Sequence, residues 1–417
     1  MKKIMRFLSM AALVLMGAAM TGCISGELVD EQAENNSKMV TLTTTVGLGT
    51  PTKALTAEGV KTFAEGETMA VVYNNGTTMV KTVSRALEAG DLIDGGRSAT
   101  FTFALETPNT SVDVTYIYPA SMAKADGSVN YDALATQDGT LASLSSNLDL
   151  ATYTGAWEGT SLPSCTLVNQ LAILAITLKD FEGSEITGGI SGMTVSDGTN
   201  DYAVSRAAAA GPIYVAILPT ASAKIWISAT TGTVNYIKSL TEKTYEASKG
   251  YNVSWKMATF GDVILSDGTL AKAGTAGAAA MIAYAGTVAG VCDHGLAISL
   301  TDAYEYNATF AEATGEVIIS SWATYHPVTG GIWRLPSETD WQYMLWGYYV
   351  SNPAATNIST FQTSLGSAGT ALASDAYYWT CTEDGDNAKS VYYDGTYAAI
   401  PSLAKTVYEH VRACLAF

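Results

Sequence analysis

The chain has 417 residues, 48% of them hydrophobic and only 15% charged, which is enough for two or three domains with sizeable cores. Its 22 Lys and Arg against 39 Asp and Glu give a formal net charge of −17. That balance excludes the basic footprint a nucleic-acid partner requires and suits a secreted surface protein kept soluble by its own charge. The 38 glycines, set among many Thr, Ser and Tyr, predict β structure with frequent turns.

The first residues read as a targeting segment and not as part of the fold. Lys2, Lys3 and Arg6 precede an apolar run over 7–19, and Met20-Thr21-Gly22-Cys23 brings small residues up to a cysteine. This pattern is similar to bacterial lipoprotein signals, so 1–22 is expected to be removed and Cys23 to carry the lipid. The apolar run is too short for the ~20 residues of a membrane-spanning helix. Residues 24–38 carry Glu27, Asp30, Glu31 and Glu34 and read as a spacer. These acids resemble the export tags of outer-face lipoproteins in Bacteroidetes, and plain linker charge is the other reading.

Residues 40–48 alternate cleanly, with Val40, Leu42, Thr44, Val46 and Leu48 on one face and Thr41, Thr43, Thr45 and Gly47 on the other. That period of two predicts a half-buried strand. The loop Gly49-Thr50-Pro51-Thr52-Lys53-Ala54 follows, with Lys53 as a lone basic residue open to a protease. Residues 23–53 are therefore expected to be a lipidated spacer and removable first strand. An ordinary first strand behind an ordinary linker fits the local pattern as well.

From 54 to 258 the chain reads as strands and turns. Residues 69–73 form a short apolar run, and Ala99, Phe101, Phe103 and Leu105 alternate with polar or small neighbours, as do Val112, Val114, Tyr116 and Tyr118. Asn74-Asn75-Gly76, Gly95-Gly96, Asp126-Gly127 and Asp197-Gly198 mark turns. The nearly continuous apolar stretch 171–178 predicts a central strand buried on both faces. Segments 213–218, 224–229 and 251–255 are expected to complete a second sheet.

Several stretches of this region carry a family likeness. Phe63-Ala64-Glu65-Gly66-Glu67, TYIYPAS at 115–121, QDGTLASL at 137–144, LVNQLAILAITL at 167–178 and ASKGYNVSW at 247–255 together resemble the fimbrillins, pilus subunits of Bacteroidetes. The resemblance spans 40–256 and implies two β-sandwich-like subdomains, 54–157 and 158–258. It also implies that a trypsin-like protease removes the lipidated first strand and that a neighbouring subunit donates a replacement. The TPTKA motif at 50–54 sits where the family is cut, with Lys53 in place of the family's Arg.

A further domain is expected over 259–417. Residues 261–269 and 294–302 read as strands, and Trp333-Arg334-Leu335-Pro336-Ser337-Glu338-Thr339-Asp340-Trp341 reads as a helix start. Ser337 caps, Asp340 answers three residues on, and Pro336 fixes the entry. Trp341, Met344, Leu345 and Tyr348 then share a helical face. Residues 378–383, 391–395 and 411–417 are the expected closing strands. This series resembles the C-type-lectin-like domains of Bacteroidetes surface lipoproteins, which makes Trp333, Arg334 and Trp379 scaffold. The Glu-Pro-Asn, Gln-Pro-Asp and Trp-Asn-Asp motifs of calcium-dependent lectins do not occur, so the resemblance implies no calcium site.

Nothing in the sequence marks catalysis. His294, His326 and His410 lack metal-ligand spacing, and no phosphate loop, nucleophile elbow or catalytic cysteine signature is present. No metal or other cofactor is expected, and the chain is read as a non-enzyme. Of the five cysteines, Cys165 reads as a lone buried thiol, and at most one pair forms among Cys292, Cys381 and Cys414. Cys292 comes beside Cys414 if the strand near 294 pairs antiparallel with the last.

The fold class expected is mainly β, with two pilin-like β-sandwich subdomains followed by an α+β C-type-lectin-like domain. The function expected is a fimbrial subunit at the cell surface and outer membrane, placed at the tip because the last strand, 411–417, is expected to pair inside its own domain. Its partners are other subunits through β-strand addition, a host glycan or protein ligand, and the membrane through Cys23. The alternative is a permanently anchored lipoprotein that displays its last domain without assembling. Tyr348, Tyr349, Asp386, Asn387, Tyr393, Asp394 and Tyr397 are the candidate ligand-binding residues, because Tyr beside small polar groups makes adaptable recognition surfaces. Tyr393 and Tyr397 are expected to be exposed.

Overall fold

The structure is a computed structural model and describes residues 39–49, 62–108, 111–157, 160–304, 306–349 and 356–417. The expected signal, Cys23 with its spacer, and Lys53 lie outside the described residues. The fold is mainly β, with several sheets and little helix.

The N-terminal strands are β1 (Met39–Leu48), β2 (Ala70–Asn74), β3 (Met79–Val83), β4 (Leu92–Ile93), β5 (Ser98–Glu106), β6 (Val112–Tyr118), β7 (Ala151–Trp157) and β8 (Cys165–Asn169). They form one sheet in the order β3-β2-β6-β7-β8-β1-β5-β4. β2 and β5 lie five steps apart in that order, about 24 Å if the sheet were flat. Yet Tyr73 of β2 and Phe101 and Phe103 of β5 share a single core. Tyr73 Oη also donates to the Glu106 carbonyl at 2.9 Å. The sheet therefore folds over on itself as a sandwich. The alternating side chains of β5 and β6 supply its filling: Ala99, Phe101, Phe103, Leu105, Val114, Tyr116 and Tyr118 are all buried.

The middle strands are β9 (Ala172–Lys179), β10 (Gly192–Ser196), β11 (Asp201–Ser205), β12 (Ile213–Ile217), β13 (Trp226–Thr231), β14 (Val234–Ser239) and β15 (Gly250–Lys256). As its apolar run predicts, β9 is central, antiparallel to β12 and parallel to β15. The segment 224–229 departs from expectation by joining a different, six-stranded sheet, ordered Ala258–Thr259, β14, β13, β10, β11 and Thr136–Gln137. Its neighbours β10 and β11 alternate buried and less buried residues, as a covering layer does, whereas β9 is buried throughout its first five residues. Ile117, Met122, Leu134 and Leu150 join the same middle core. The expected division at 157/158 falls between β7 and β8, which pair with each other through Ala151↔Asn169 and Thr152↔Val168. The first sheet thus runs on to Asn169.

The C-terminal part comprises β16 (Val263–Leu265), β17 (Ala278–Ala285), β18 (Gly295–Ser299), β19 (Ile332–Arg334), β20 (Ala376–Asp384), β21 (Asn387–Tyr393), β22 (Tyr397–Ala399) and β23 (Cys414–Ala416). Its main helices are α1 (Glu316–Tyr325), α2 (Glu338–Trp346) and α3 (Ser359–Ala368). Leu270–Ala271, β16, β17, β18, β23 and β19 make one sheet, and Thr356–Asn357, β22, β21 and β20 make another, with Ser402–Ala404 paired to β21. The last strand is shorter than the expected 411–417. Upstream of it, the Val411 and Ala413 carbonyls accept from Ala303 N and Ser299 N without continuing the ladder.

Helix α2 starts as its sequence dictates. Ser337 Oγ accepts from Asp340 N at 3.1 Å, and Asp340 accepts from Ser337 N at 2.6 Å. Gly347 ends it with a left-handed φ of 77°. This stop shortens the expected shared face: Trp341, Met344 and Leu345 lie on the helix and are buried, whereas Tyr348 falls beyond the helix and is exposed, as a ligand-binding candidate must be.

All four described cysteines are free. β18 does pair antiparallel with β23, in the register Ile298↔Cys414. Cys292, however, lies before β18 in a turn closed onto Val288, which keeps it from Cys414. Burial pushes the Cys165 thiol up to about 12 and Cys292 up to about 11, and raises Cys414 as well. Thiolate is the reactive form, so these thiols should gain reactivity only as pH climbs far above 8. In the native protein at pH 8, iodoacetamide should modify the exposed Cys381 first and leave the other three to be labelled after unfolding, as read by peptide mass spectrometry. Rapid native labelling of Cys414 would contradict this packing.

Candidate functional site

The best-defined site is the slot that holds β1. The strand runs antiparallel to β5 from Met39↔Glu106 to Gly47↔Ser98 and parallel to β8 from Val46↔Cys165 to Leu48↔Leu167. Its inward face is the predicted one: Thr44 and Val46 are buried, while Thr41, Thr43 and Thr45 point to solvent. Thr44 Oγ1 donates to the Pro163 carbonyl at 2.8 Å, which also accepts Tyr116 Oη at 2.9 Å. β1 thus closes the first core through two main-chain partners and a short apolar stripe. Without it, one edge of β5 and the end of β8 would be unpaired beside an open trench. Recognition of this kind reads backbone and alternate side chains, so another extended segment of matching pattern can satisfy it.

The expected adhesive residues do not form one face. Asp386 and Asn387 sit at the tip of the β20–β21 hairpin, where Asp384 pairs with Asn387. Asp394 and Tyr397 lie beyond the other end, past Ala376↔Tyr393. Eight residue steps along β21 separate Asp386 from Asp394, about 26 Å. Tyr393 is only 7% exposed and packs in the core, contrary to expectation. Alternation along β21 sends it inward with Val391, and Tyr392 faces outward against Tyr377 with ring centroids 4.6 Å apart. Tyr348, Tyr349 and Tyr397 are exposed. Asp394 accepts from Tyr397 N at 2.7 Å and Thr396 N at 2.8 Å, and these bonds hold its carboxyl below the usual range.

The histidines serve packing and pairing. His294 stacks on Trp226 with centroids 4.2 Å apart, His326 stacks on Trp322 at the same distance, and His410 Nδ1 lies 2.9 Å from Asp302. Trp226 also stacks on Phe417 at 5.8 Å, which joins the middle and C-terminal parts. Trp333 and Trp379 are buried, and Arg334 pairs with Asp340.

No protein-family model matches the chain, and no curated protein matches it. Solved structures resemble it at low identity. A fimbrial protein from Bacteroides ovatus is 13% identical with a TM-score of 0.28, over 92% of this chain and 100% of that one. A fimbrial assembly protein from Parabacteroides distasonis is 13% identical with a TM-score of 0.33, over 52% of this chain and 91% of that one. The tip fimbrial protein of Porphyromonas gingivalis, truncated at its C-terminus, is 11% identical with a TM-score of 0.23, over 49% of this chain and 82% of that one.

Proposed function

We propose that the protein is a fimbrial subunit, exported as a precursor lipidated at Cys23 and carried at the outer membrane and then in the fimbrium. The observation that carries this reading is the place of β1. A strand that completes a core by main-chain pairing precedes a segment containing Lys53, a residue a trypsin-like protease can cut. Cleavage there would let β1 leave and a neighbouring subunit's strand enter the same slot. In this reading 54–157 and 158–258 are fimbrillin-like subdomains with strands interleaved across their boundary, and 259–417 is a C-type-lectin-like domain that binds a surface glycan or protein. In this reading the subunit sits at the tip, and β23, paired on both sides to β18 and β19, is not itself a strand free to donate.

N-terminal sequencing of the protein from assembled fimbriae should begin at Ala54. The Lys53→Ala variant should keep Cys23 as its first residue and stay out of fimbriae. Assembled fibres whose subunits begin at Cys23 would overturn the proposal and leave a permanently anchored lipoprotein.

A further inference from the structure

A groove of about 600 Å³ lies where the β13–β14 hairpin meets α2 and α3. That volume is in the range of small-molecule sites. Phe260, Tyr284 and Trp346 supply aromatic surface, and Asn235 and Asn357 supply amides. In a chain of net charge −17, none of the lining residues is Asp, Glu, Lys, Arg or His. Burial raises the Tyr284 phenol above its ordinary value, so that wall is neutral too.

The amides are set for donation. Thr230 Oγ1 donates to Asn235 Oδ1 at 3.0 Å, and Ser359 N donates to Asn357 Oδ1 at 2.9 Å. With each acceptor engaged, both Nδ2 groups are left without a partner among the described residues. The edge is apolar and reachable: Val234 is 40% exposed on the hairpin. Asn357 pairs with Tyr397, and Gly347 leads into Tyr348 and Tyr349, three exposed tyrosines next in the chain or the ladder to lining residues.

We infer that this groove binds a neutral saccharide. Flat rings match the C–H faces of a pyranose, and unpaired amide donors match its hydroxyl oxygens. A charged sugar or phosphate would lose its hydration with no countercharge to meet it. The inference rests on the proposed ligand-binding role of 259–417. It adds that the middle part supplies one wall, through Thr233, Val234 and Asn235.

The test uses the full chain and saturation-transfer NMR against galactose, mannose, fucose, N-acetylglucosamine and lactose, with sialic acid as the charged control and apolar hexapeptides as the peptide arm. At least one neutral sugar should bind and sialic acid should not. Val234→Arg, which places a cation in the groove from an exposed position, and Asn235→Ala should each weaken that binding about tenfold, with melting temperatures unchanged. Silence from every neutral sugar, equal binding by both variants, or binding of hexapeptides alone would overturn the inference. Cell adhesion measured in parallel separates the two readings. Fibres that adhere while all sugars are silent remove the groove and keep the adhesin, whereas fibres that adhere to nothing remove the adhesin itself.

Discussion

Val46→Asp should destabilise the precursor by about 4 kcal/mol, the cost of an unpaired charge buried in a core, and move its unfolding to much lower urea. Val46 is 0% exposed and belongs to the cluster that contains Phe101, Phe103, Tyr116 and Leu167. The new carboxylate would replace a methyl-bearing side chain among these apolar and aromatic neighbours. A typical domain is stable by only about 5–15 kcal/mol, and the change takes a large share of it. Thr45→Asp is the matched control. Thr45 points to solvent, and the same charge one residue away should cost under about 0.5 kcal/mol. Urea denaturation of the full chain measures both. The functional consequence follows from the slot. If β1 is removed at Lys53 and replaced by a partner's strand, mature subunits carrying either substitution in their precursors are identical molecules and must be equally stable. A mature subunit that retains the Val46→Asp penalty would mean that β1 stays.

What the sequence reveals here depends on how local the physics is. The alternation of β1 and β5 predicts both the strands and their buried faces, because in each only one of the two faces is apolar. The capping box of α2 is a three-residue arrangement and can be read directly. Tyr392 and Tyr393 are a different case. Both faces of β21 carry an aromatic ring, so the period of two places them on opposite sides without saying which side is core. The helix end at Gly347 was legible in principle, since a glycine there offers the left-handed stop that takes Tyr348 off the helical face. The partnership of β8 with β1 was not, because it joins residues more than a hundred positions apart through main-chain bonds that leave no side-chain signature. The groove is the extreme case. Asn235, Phe260, Tyr284, Trp346 and Asn357 come from five separate segments with no shared motif, and only the packing of the middle part on α2 and α3 brings them together.

Asp340→Ala should cost about 3 kcal/mol, close to the range for breaking a buried ion pair. Asp340 is 1% exposed and accepts four hydrogen bonds: from both Nη atoms of Arg334, with Nη2 at 2.7 Å, from Ser337 N at 2.6 Å and from Ser337 Oγ at 2.8 Å. Alanine would strip the first turn of α2 of half its capping box, about 1 kcal/mol alone, and leave the Arg334 guanidinium without its carboxylate. Solvent reaches Arg334, whose side chain is 37% exposed, and this holds the loss below that of a fully enclosed pair. Arg334→Met should therefore be costly with Asp340 present and nearly neutral beside Asp340→Ala, a coupling that a double-mutant cycle reads directly. Additive losses would mean that the two side chains act separately. The effect should also travel along the helix. α2 begins at this capping box and ends at Trp346, nine residues and about 13 Å away. Fraying of its first turn would loosen the Trp346 wall of the groove before the protein unfolds. Amide hydrogen exchange in α2 should accelerate in Asp340→Ala under conditions where β9, buried at the centre of the middle core, still exchanges as in the wild type.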